Sequence, residues 1–221
     1  MALEPLVIIG AGGFGREVYV IAAEINAARP TWDLIGFLDD DPTKLDGFTG
    51  YGPILGSIDD YARFGQPWAV CAIGDSRMRK DIVRRLVPHD PRWATLVHPD
   101  TYVAPTARIG EGTIIARDSV VSVDAVLGRH VAVNLLVMVA HDCICEDYVT
   151  LSPQVSLGGA VRLEEGAFLG LNATILPQKR MGPWSLLGAG SVATRDVPEG
   201  ATMVGLPGRI LPTKRRPSLD H

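Results

Sequence analysis

From Val97 onward, apolar residues recur at every sixth position without an interruption. The series runs from Val97 to Ala193, and all 17 of its positions are apolar. A second series, four residues further along, runs from Thr101 to Ser191 and holds only small or β-branched side chains apart from Lys179. A helix repeats its faces at about 3.6 residues and a strand at two, so neither explains a period of six. The pattern predicts a three-sided solenoid in which about 18 residues complete one coil of parallel strands.

The first 96 residues follow a different pattern, in which short apolar runs alternate with segments of helical periodicity. This alternation predicts a small α/β domain at 1–96, Rossmann-like but shorter than a full dinucleotide fold. The solenoid and a C-terminal tail would then form a second domain at 97–221. Ser76 is expected to cap the N-terminus of the predicted helix at 77–86. The predicted elements are strands at 6–9, 34–38 and 68–73 and helices at 16–28 and 77–86.

Composition and charge narrow the classes of function. A net charge of −4 leaves no basic surplus for nucleic acid or anionic lipid. Three cysteines are too few and too unevenly spaced for a disulfide framework or a zinc site, which favours a reducing compartment. The first apolar run is too short for a signal peptide, and no stretch approaches the length of a membrane span. We therefore expect a cytoplasmic protein that binds neither nucleic acid nor membranes.

Individual hexads resemble the hexapeptide repeat of the left-handed β-helix acyltransferases. Val103-Ala-Pro-Thr-Ala, Ile109-Gly-Glu-Gly-Thr and Leu187-Gly-Ala-Gly-Ser match that repeat directly. Over the whole chain, motifs that include Ile9-Gly-Ala-Gly-Gly-Phe-Gly and Ala140-His-Asp-Cys occur in an order similar to that of the sialic-acid O-acetyltransferase-like family of sugar acyltransferases. The left hand of the solenoid follows from this resemblance, because the general crossover rule would favour a right hand.

The resemblance implies an acetyl-CoA-dependent enzyme that assembles as a homotrimer with active sites between subunits. Its small α/β domain would bind a nucleotide-linked sugar, and its β-helix would bind acetyl-CoA. The implied reaction is N-acetylation of the 4-amino group of a nucleotide-linked amino sugar, with GDP-perosamine as the favoured substrate. No metal is expected.

His141 is the expected general base. N-acetyl transfer requires the acceptor amine to lose a proton, and a neutral imidazole can accept it near physiological pH. His141 is the third residue of the Val139 hexad, so it projects near a face rather than along the axis. The resemblance assigns to Asp142 the role of holding His141 and raising its basicity. Because neighbours on a strand point to opposite sides, the pair cooperates only if a corner or a turned rotamer brings the two together.

The acetyl-CoA site that the resemblance implies lies between coils of neighbouring subunits. Gly159 comes one coil after the expected base, where the absence of a side chain lets the cofactor approach closely. Thr150 stands where many relatives have a histidine near the thioester carbonyl, and its hydroxyl can donate one hydrogen bond. Ala189 is a further candidate. Lys179 and Arg180 are expected either to meet the CoA phosphates or to form a solvated corner.

A glycine-rich turn follows the first predicted strand. Gly10-Ala-Gly-Gly-Phe-Gly would present backbone N–H groups to a diphosphate at a helix N-terminus. Asp39 lies about where a dinucleotide fold places its ribose-binding acid, so an NAD site is the alternative. The short domain and the lack of an obvious hydride-transfer partner disfavour that alternative. The resemblance assigns nucleotide-sugar binding to Gly12, Gly13, Phe14, Asp39, Asp40 and Gly74.

Three other functions fit parts of the same pattern. O-acetylation of a sugar hydroxyl would use the same base, and nothing in the sequence separates amine from hydroxyl. A zinc-dependent hydratase of the γ-carbonic-anhydrase type needs three histidines at a subunit interface, and only His130 and His141 lie in mid-solenoid. A non-catalytic scaffold would need the repeat alone.

Cys143 and Cys145 fall on a corner and an axis position, which favours packing over nucleophilic roles.

Overall fold

The computed structural model describes residues 3–212, and its N-terminal part is a five-stranded parallel sheet. Its elements are β1 Glu4–Ile9, α1 Gly13–Ala28, β2 Trp32–Leu38, β3 Ile54–Gly56, β4 Trp68–Cys71, α2 Ser76–Leu86 and β5 Arg92–Trp93, with 3₁₀ turns at Ile58–Phe64 and Val87–His89. The strand order is β3-β2-β1-β4-β5, so β1 is central. Its last four residues are all buried, as their uninterrupted apolar run predicts for a strand covered on both sides.

Two details of this domain differ from the sequence prediction. Helix α2 is capped by Asp75, whose carboxylate accepts hydrogen bonds from the N–H groups of Arg77 and Met78, each at 2.9 Å. The prediction of Ser76 as the cap is therefore wrong, and Ser76 is instead the buried first residue of the helix. The short strands β3 and β5 were not predicted, because their three and two residues are too few to show a periodicity.

The rest of the described chain is a left-handed β-helix with three flat faces, as predicted. Each strand pairs in parallel with the strand one coil away, for example Val121 with Val139. Face A contains Tyr102–Val103, Val120–Val121, Met138–Val139, Ser156–Leu157, Thr174–Ile175 and Val192–Ala193. Face B contains Arg108–Ile109, Val126–Leu127, Ile144–Cys145, Arg162–Leu163 and Arg180–Met181. Face C contains Leu96–Val97, Ile114–Ile115, Ala132–Val133, Thr150–Leu151, Phe168–Leu169, Leu186–Leu187, Thr202–Val204 and an antiparallel Arg209–Ile210.

Both repeating series point into the core of the solenoid. From Ile115 onward the first residues of the hexads are buried, and so are the fifth residues from Thr113 onward, with Lys179 as the exception. The three cysteines are buried, and burial raises the pKa of the Cys143 and Cys145 thiols, which agrees with packing roles.

The corners between faces depend on the fourth residue of each hexad. Every sixth residue from Gly112 to Gly190 has a φ between 53° and 70°, the left-handed region. Aspartate, asparagine and glycine tolerate this region best, and they fill seven of these fourteen positions: Gly112, Asp118, Asp124, Asp142, Gly166, Asn172 and Gly190. This corner signal is present in the sequence and was missed.

The N-terminal domain packs on face C of the solenoid. Leu96 and Ile114 of face C belong to the same apolar cluster as Val18 and Ile21 of α1. At one side of this face, Glu24 of α1 accepts a hydrogen bond from buried His98 at 2.8 Å, so this histidine helps to join the two domains. No helix within residues 3–212 is long and apolar enough to cross a membrane. The predicted C-terminal tail, from residue 213, lies outside the described residues.

Candidate active site

His141 and Asp142 lie at the corner between faces A and B, called the A/B corner, which consists of residues 123–124, 141–142, 159–160 and 177–178. Asp142 has a φ of 59°, and this turn brings its Oδ2 to 2.7 Å from Nδ1 of His141. The corner therefore removes the difficulty that strand neighbours point apart. A carboxylate can only accept, so Nδ1 carries a proton, and in the neutral imidazole Nε2 keeps a free lone pair. Both side chains are about 60% exposed, at 60% and 59%.

Gly159 lies directly against the imidazole of His141. A Cβ added at Gly159 would lie 2.5 Å from Nε2 of His141, which is closer than real contacts allow. The missing side chain therefore makes room for the histidine ring in this structure. Its predicted role in the approach of acetyl-CoA stays a prediction.

Thr150 lies on face C, at the junction with the N-terminal domain rather than at the A/B corner. Its hydroxyl accepts a hydrogen bond from Arg79 at 2.9 Å and lies 3.1 Å from the carbonyl oxygen of Gly74 and 3.0 Å from Oγ of Ser76. A threonine hydroxyl has one proton, and Gly74 offers it an acceptor. This geometry gives no support to the predicted hydrogen bond from Thr150 to a thioester carbonyl.

The other predicted acetyl-CoA residues are divided between two corners. Lys179 is half-buried and follows the A/B corner two coils beyond His141, and none of the ion pairs within residues 3–212 includes it. Arg180 donates hydrogen bonds to Glu164 at 2.6 and 2.7 Å, so its guanidinium is already paired. Ala189 is exposed at the corner between faces C and A, called the C/A corner (residues 117–118, 135–136, 153–154, 171–172 and 189–190).

A cavity of about 790 Å³ lies between face C and the N-terminal domain. Gly74 and Phe14 of the N-terminal domain line one side of it, and Phe168 and Trp184 of the solenoid line the other. A second cavity of about 520 Å³ adjoins it and is lined by Gly13, Phe14 and Arg16, among others. Three of the six predicted nucleotide-sugar residues therefore line these cavities: Gly13, Phe14 and Gly74.

The glycine turn between β1 and α1 presents the N-terminus of a helix. Gly12 is the N-cap of α1, and no side chain caps it. The first N–H groups of a helix have no partner within the helix and attract anions. Gly15 permits the tight turn, because a Cβ there would lie 2.0 Å from the carbonyl oxygen of Gly10.

The two predicted aspartates are engaged within the protein. Asp39 accepts hydrogen bonds from the N–H groups of Ala11 at 2.7 Å and Asp41 at 2.9 Å, so it holds the glycine turn in place. Asp40 pairs with Arg85 at 2.5 Å, and that hydrogen bond lowers the pKa of its carboxyl. Neither aspartate lines the two cavities. Their predicted contacts with base or ribose are therefore without support in this geometry.

The expected base and the cavities are separate within one subunit. Neither His141 nor Asp142 lines either cavity.

His130, the other mid-solenoid histidine, is 3% exposed and stacks on Tyr148 at a ring separation of 5.4 Å. This burial removes it from the surface, where the zinc-hydratase alternative would need it. Within residues 3–212, no group of three metal-binding side chains comes together.

Comparisons with known proteins agree with this architecture. Residues 5–86 match the family described as the PglD N-terminal domain. GDP-perosamine N-acetyltransferase of Escherichia coli O157:H7 is 29% identical over 96% of this chain and 97% of that protein.

Two proteins are among those whose solved structures are similar over almost the whole chain. The acetyltransferase domain of PglB from Neisseria gonorrhoeae FA1090, also solved in complex with acetyl coenzyme A, is 32% identical with a TM-score of 0.86. The match without ligand covers 94% of this chain and 100% of that one. PerB from Caulobacter crescentus, solved in complex with CoA and GDP-perosamine, is 29% identical with a TM-score of 0.84, covering 96% of this chain and 99% of that one.

Proposed function

The chain belongs to the hexapeptide-repeat family of sugar acetyltransferases, and we propose that it transfers the acetyl group of acetyl-CoA to the 4-amino group of a nucleotide-linked amino sugar. GDP-perosamine is the substrate we favour, since it is named for relatives that align over nearly the whole chain. The observation that carries the proposal is the His141–Asp142 pair, an imidazole with a free Nε2 at an open corner of the β-helix.

In the proposed reaction His141 acts as general base. Its Nε2 accepts a proton as the amine nitrogen bonds to the thioester carbonyl carbon. When the carbon–sulfur bond breaks, the same proton can pass to the departing thiolate, so the products are the amide and the free thiol. Asp142 accepts from Nδ1 throughout and stabilises the imidazolium that forms between the two steps.

The nucleotide-sugar would occupy the cavities of the N-terminal domain. The free N–H groups at the start of α1, around Gly12 and Gly13, suit a diphosphate. Phe14 and Gly74 line the adjoining space toward face C. The base of the same subunit does not line this space, so a second subunit is needed to complete the site.

We propose that the complete enzyme is a homotrimer with its active sites between subunits. Large apolar side chains are exposed along face A and the C/A corner, where a soluble monomer would normally bury or disperse them. They are Tyr102 at 58%, Val120 at 38%, Leu135 at 41%, Leu136 at 51%, Met138 at 51% and Leu171 at 58% exposure. Covering this surface with a neighbouring subunit would bring one subunit's A/B corner near another's C/A corner, where Ala189 lies.

The test is a panel of nucleotide-linked 4-amino sugars incubated with acetyl-CoA, with release of free thiol as the measurement. Matched sugars that carry a 4-hydroxyl group in place of the amine are the control. The proposal expects thiol release with at least one amino sugar and little with its hydroxyl counterpart. Faster turnover of the hydroxyl sugars would favour O-acetylation, and no release with any acceptor would overturn the proposal.

Shared active sites predict complementation between two inactive variants. His141→Ala removes the base, and Gly74→Trp places a large ring at the cavity wall, where an added Cβ meets nothing within 4 Å. Co-expression of the two variants should restore part of the activity, because some mixed sites combine the intact His141 of the Gly74→Trp subunit with the intact cavity of the His141→Ala subunit. Activity no higher than that of either variant alone would contradict sites formed between subunits.

A further inference from the structure

Arg79 of α2 is the largest fully buried side chain among residues 3–212, with 1% exposure. Its guanidinium reaches across the domain junction to the solenoid. Nε donates to the carbonyl oxygen of His130 at 2.9 Å, and Nη2 donates to that of Tyr148 at 2.8 Å and to Oγ1 of Thr150 at 2.9 Å. One side chain of the N-terminal domain therefore binds two successive coils.

The same guanidinium also binds the loop between β4 and α2. Nη1 donates to the carbonyl oxygens of Ile73 at 2.6 Å and Gly74 at 3.2 Å. Gly74 of this loop and Ser76, the first residue of α2, line the larger cavity, and Thr150 contacts both of them. Arg79 thus connects one wall of the cavity to the solenoid that forms the opposite wall.

A buried charge without a counter-ion is costly unless hydrogen bonds satisfy it. None of the ion pairs within residues 3–212 includes Arg79, and every acceptor named above is neutral. Burial lowers the pKa of Arg79 to about 10, so the group stays protonated at neutral pH. Apolar packing alone would join the two domains without the free-energy cost of burying a charge. The directed hydrogen bonds of Arg79 therefore point to a role in fixing the geometry of the junction.

We infer that Arg79 is a positioning residue that holds the Gly74 loop at the distance from face C that the nucleotide-linked sugar requires. This inference rests on the proposed function for the identity of the ligand. Its structural part, that Arg79 holds the loop, does not depend on the reaction. Lysine cannot replace arginine here. Its single ammonium group cannot donate at the same time to the carbonyl oxygens of the solenoid and to those of the Gly74 loop, as the planar guanidinium does.

The experiment compares Arg79→Lys with Arg84→Lys, a matched control on an exposed position of the same helix. In Arg79→Lys we expect the KM for the nucleotide-linked amino sugar to rise about tenfold, the scale of a lost hydrogen bond to a charged group. The KM for acetyl-CoA and kcat should change by less than about twofold. Arg84→Lys should match the wild type. An equal rise of both KM values, or no rise in either, would overturn the inference.

Hydrogen exchange of the substrate-free enzyme separates this inference from the proposed function. Amides of residues 73–76 should exchange faster in Arg79→Lys than in Arg84→Lys, whether or not the enzyme acetylates a sugar. Unchanged exchange would overturn the positioning role, whereas faster exchange in an enzyme without acetyltransferase activity would overturn the proposed function alone.

A milder variant covers the case in which Arg79→Lys does not fold. Thr150→Val keeps the guanidinium buried and removes only the hydroxyl that contacts Gly74. A rise in the KM for the sugar would support the inference. A rise confined to the KM for acetyl-CoA would instead support the role that the family resemblance implies for Thr150, and would overturn the inference.

Discussion

His141 and His130 lie at two corners of one solenoid and have opposite surroundings. His141 is 60% exposed and pairs with Asp142. His130 is 3% exposed, lies between the rings of Trp93 and Tyr148, and leaves its Nδ1 without a hydrogen-bond partner within residues 3–212. The difference comes from the N-terminal domain, which covers the corner of His130 and leaves that of His141 open. A position in the repeat therefore does not by itself make a histidine reactive.

Replacing each histidine tests this contrast, and the largest effect is expected at His141. His141→Ala should lower kcat by roughly 10³-fold, within the range for loss of a general base. His130→Phe, the matched control, should keep near wild-type kcat, because aromatic residues already occupy equivalent left-handed corners at Tyr148 and Trp184. Steady-state thiol release measures both. Full turnover by a folded His141→Ala variant would remove His141 from the mechanism.

His130 should instead affect the dependence of stability on pH. Burial, followed by the charges of Arg79 and Arg129, lowers the pKa of His130 from 6.5 to about 4. Between these values the unfolded chain binds more protons than the folded one, so the free energy of unfolding falls as the pH falls from about 6.5 to 4. The loss attributable to His130 is on the order of 3 kcal/mol.

Denaturant unfolding of the wild type and His130→Phe at several pH values measures this effect. The variant should lose less stability than the wild type across the window. Parallel curves for the wild type and His130→Phe would show that His130 does not titrate in this way.

Gly159→Ala tests whether the missing side chain at Gly159 positions the His141 ring at the A/B corner. Its expected effect is the smallest of these predictions. The added Cβ would displace the His141 ring, and a displaced catalytic group costs up to about 10²-fold in rate. The same change in a His141→Ala background should have no further effect if Gly159 acts only by seating the ring. A further loss, or a raised KM for acetyl-CoA, would support the predicted contact between Gly159 and the cofactor.

Much of the fold follows from local pattern. The six-residue period predicts the solenoid because each coil repeats the same inward positions, and the apolar runs predict the central strands of the first domain. The family resemblance supplied the pairing of His141 with Asp142, and the left-handed corner explains how strand neighbours can meet. The short edge strands and the Asp75 cap were missed because two or three residues carry too little pattern.

The β-helix, the order of the two domains and the outward position of His141 in the third place of its hexad follow from the sequence alone. The three-dimensional structure was needed to show that His141 and Asp142 meet at a corner, that Thr150 contacts Arg79, that Asp40 pairs with Arg85 and that His130 is enclosed. The physical reason is that a repeat sets which residues point outward, whereas their partners come from segments far away in the chain. Burial and charge at each outward position depend on those partners.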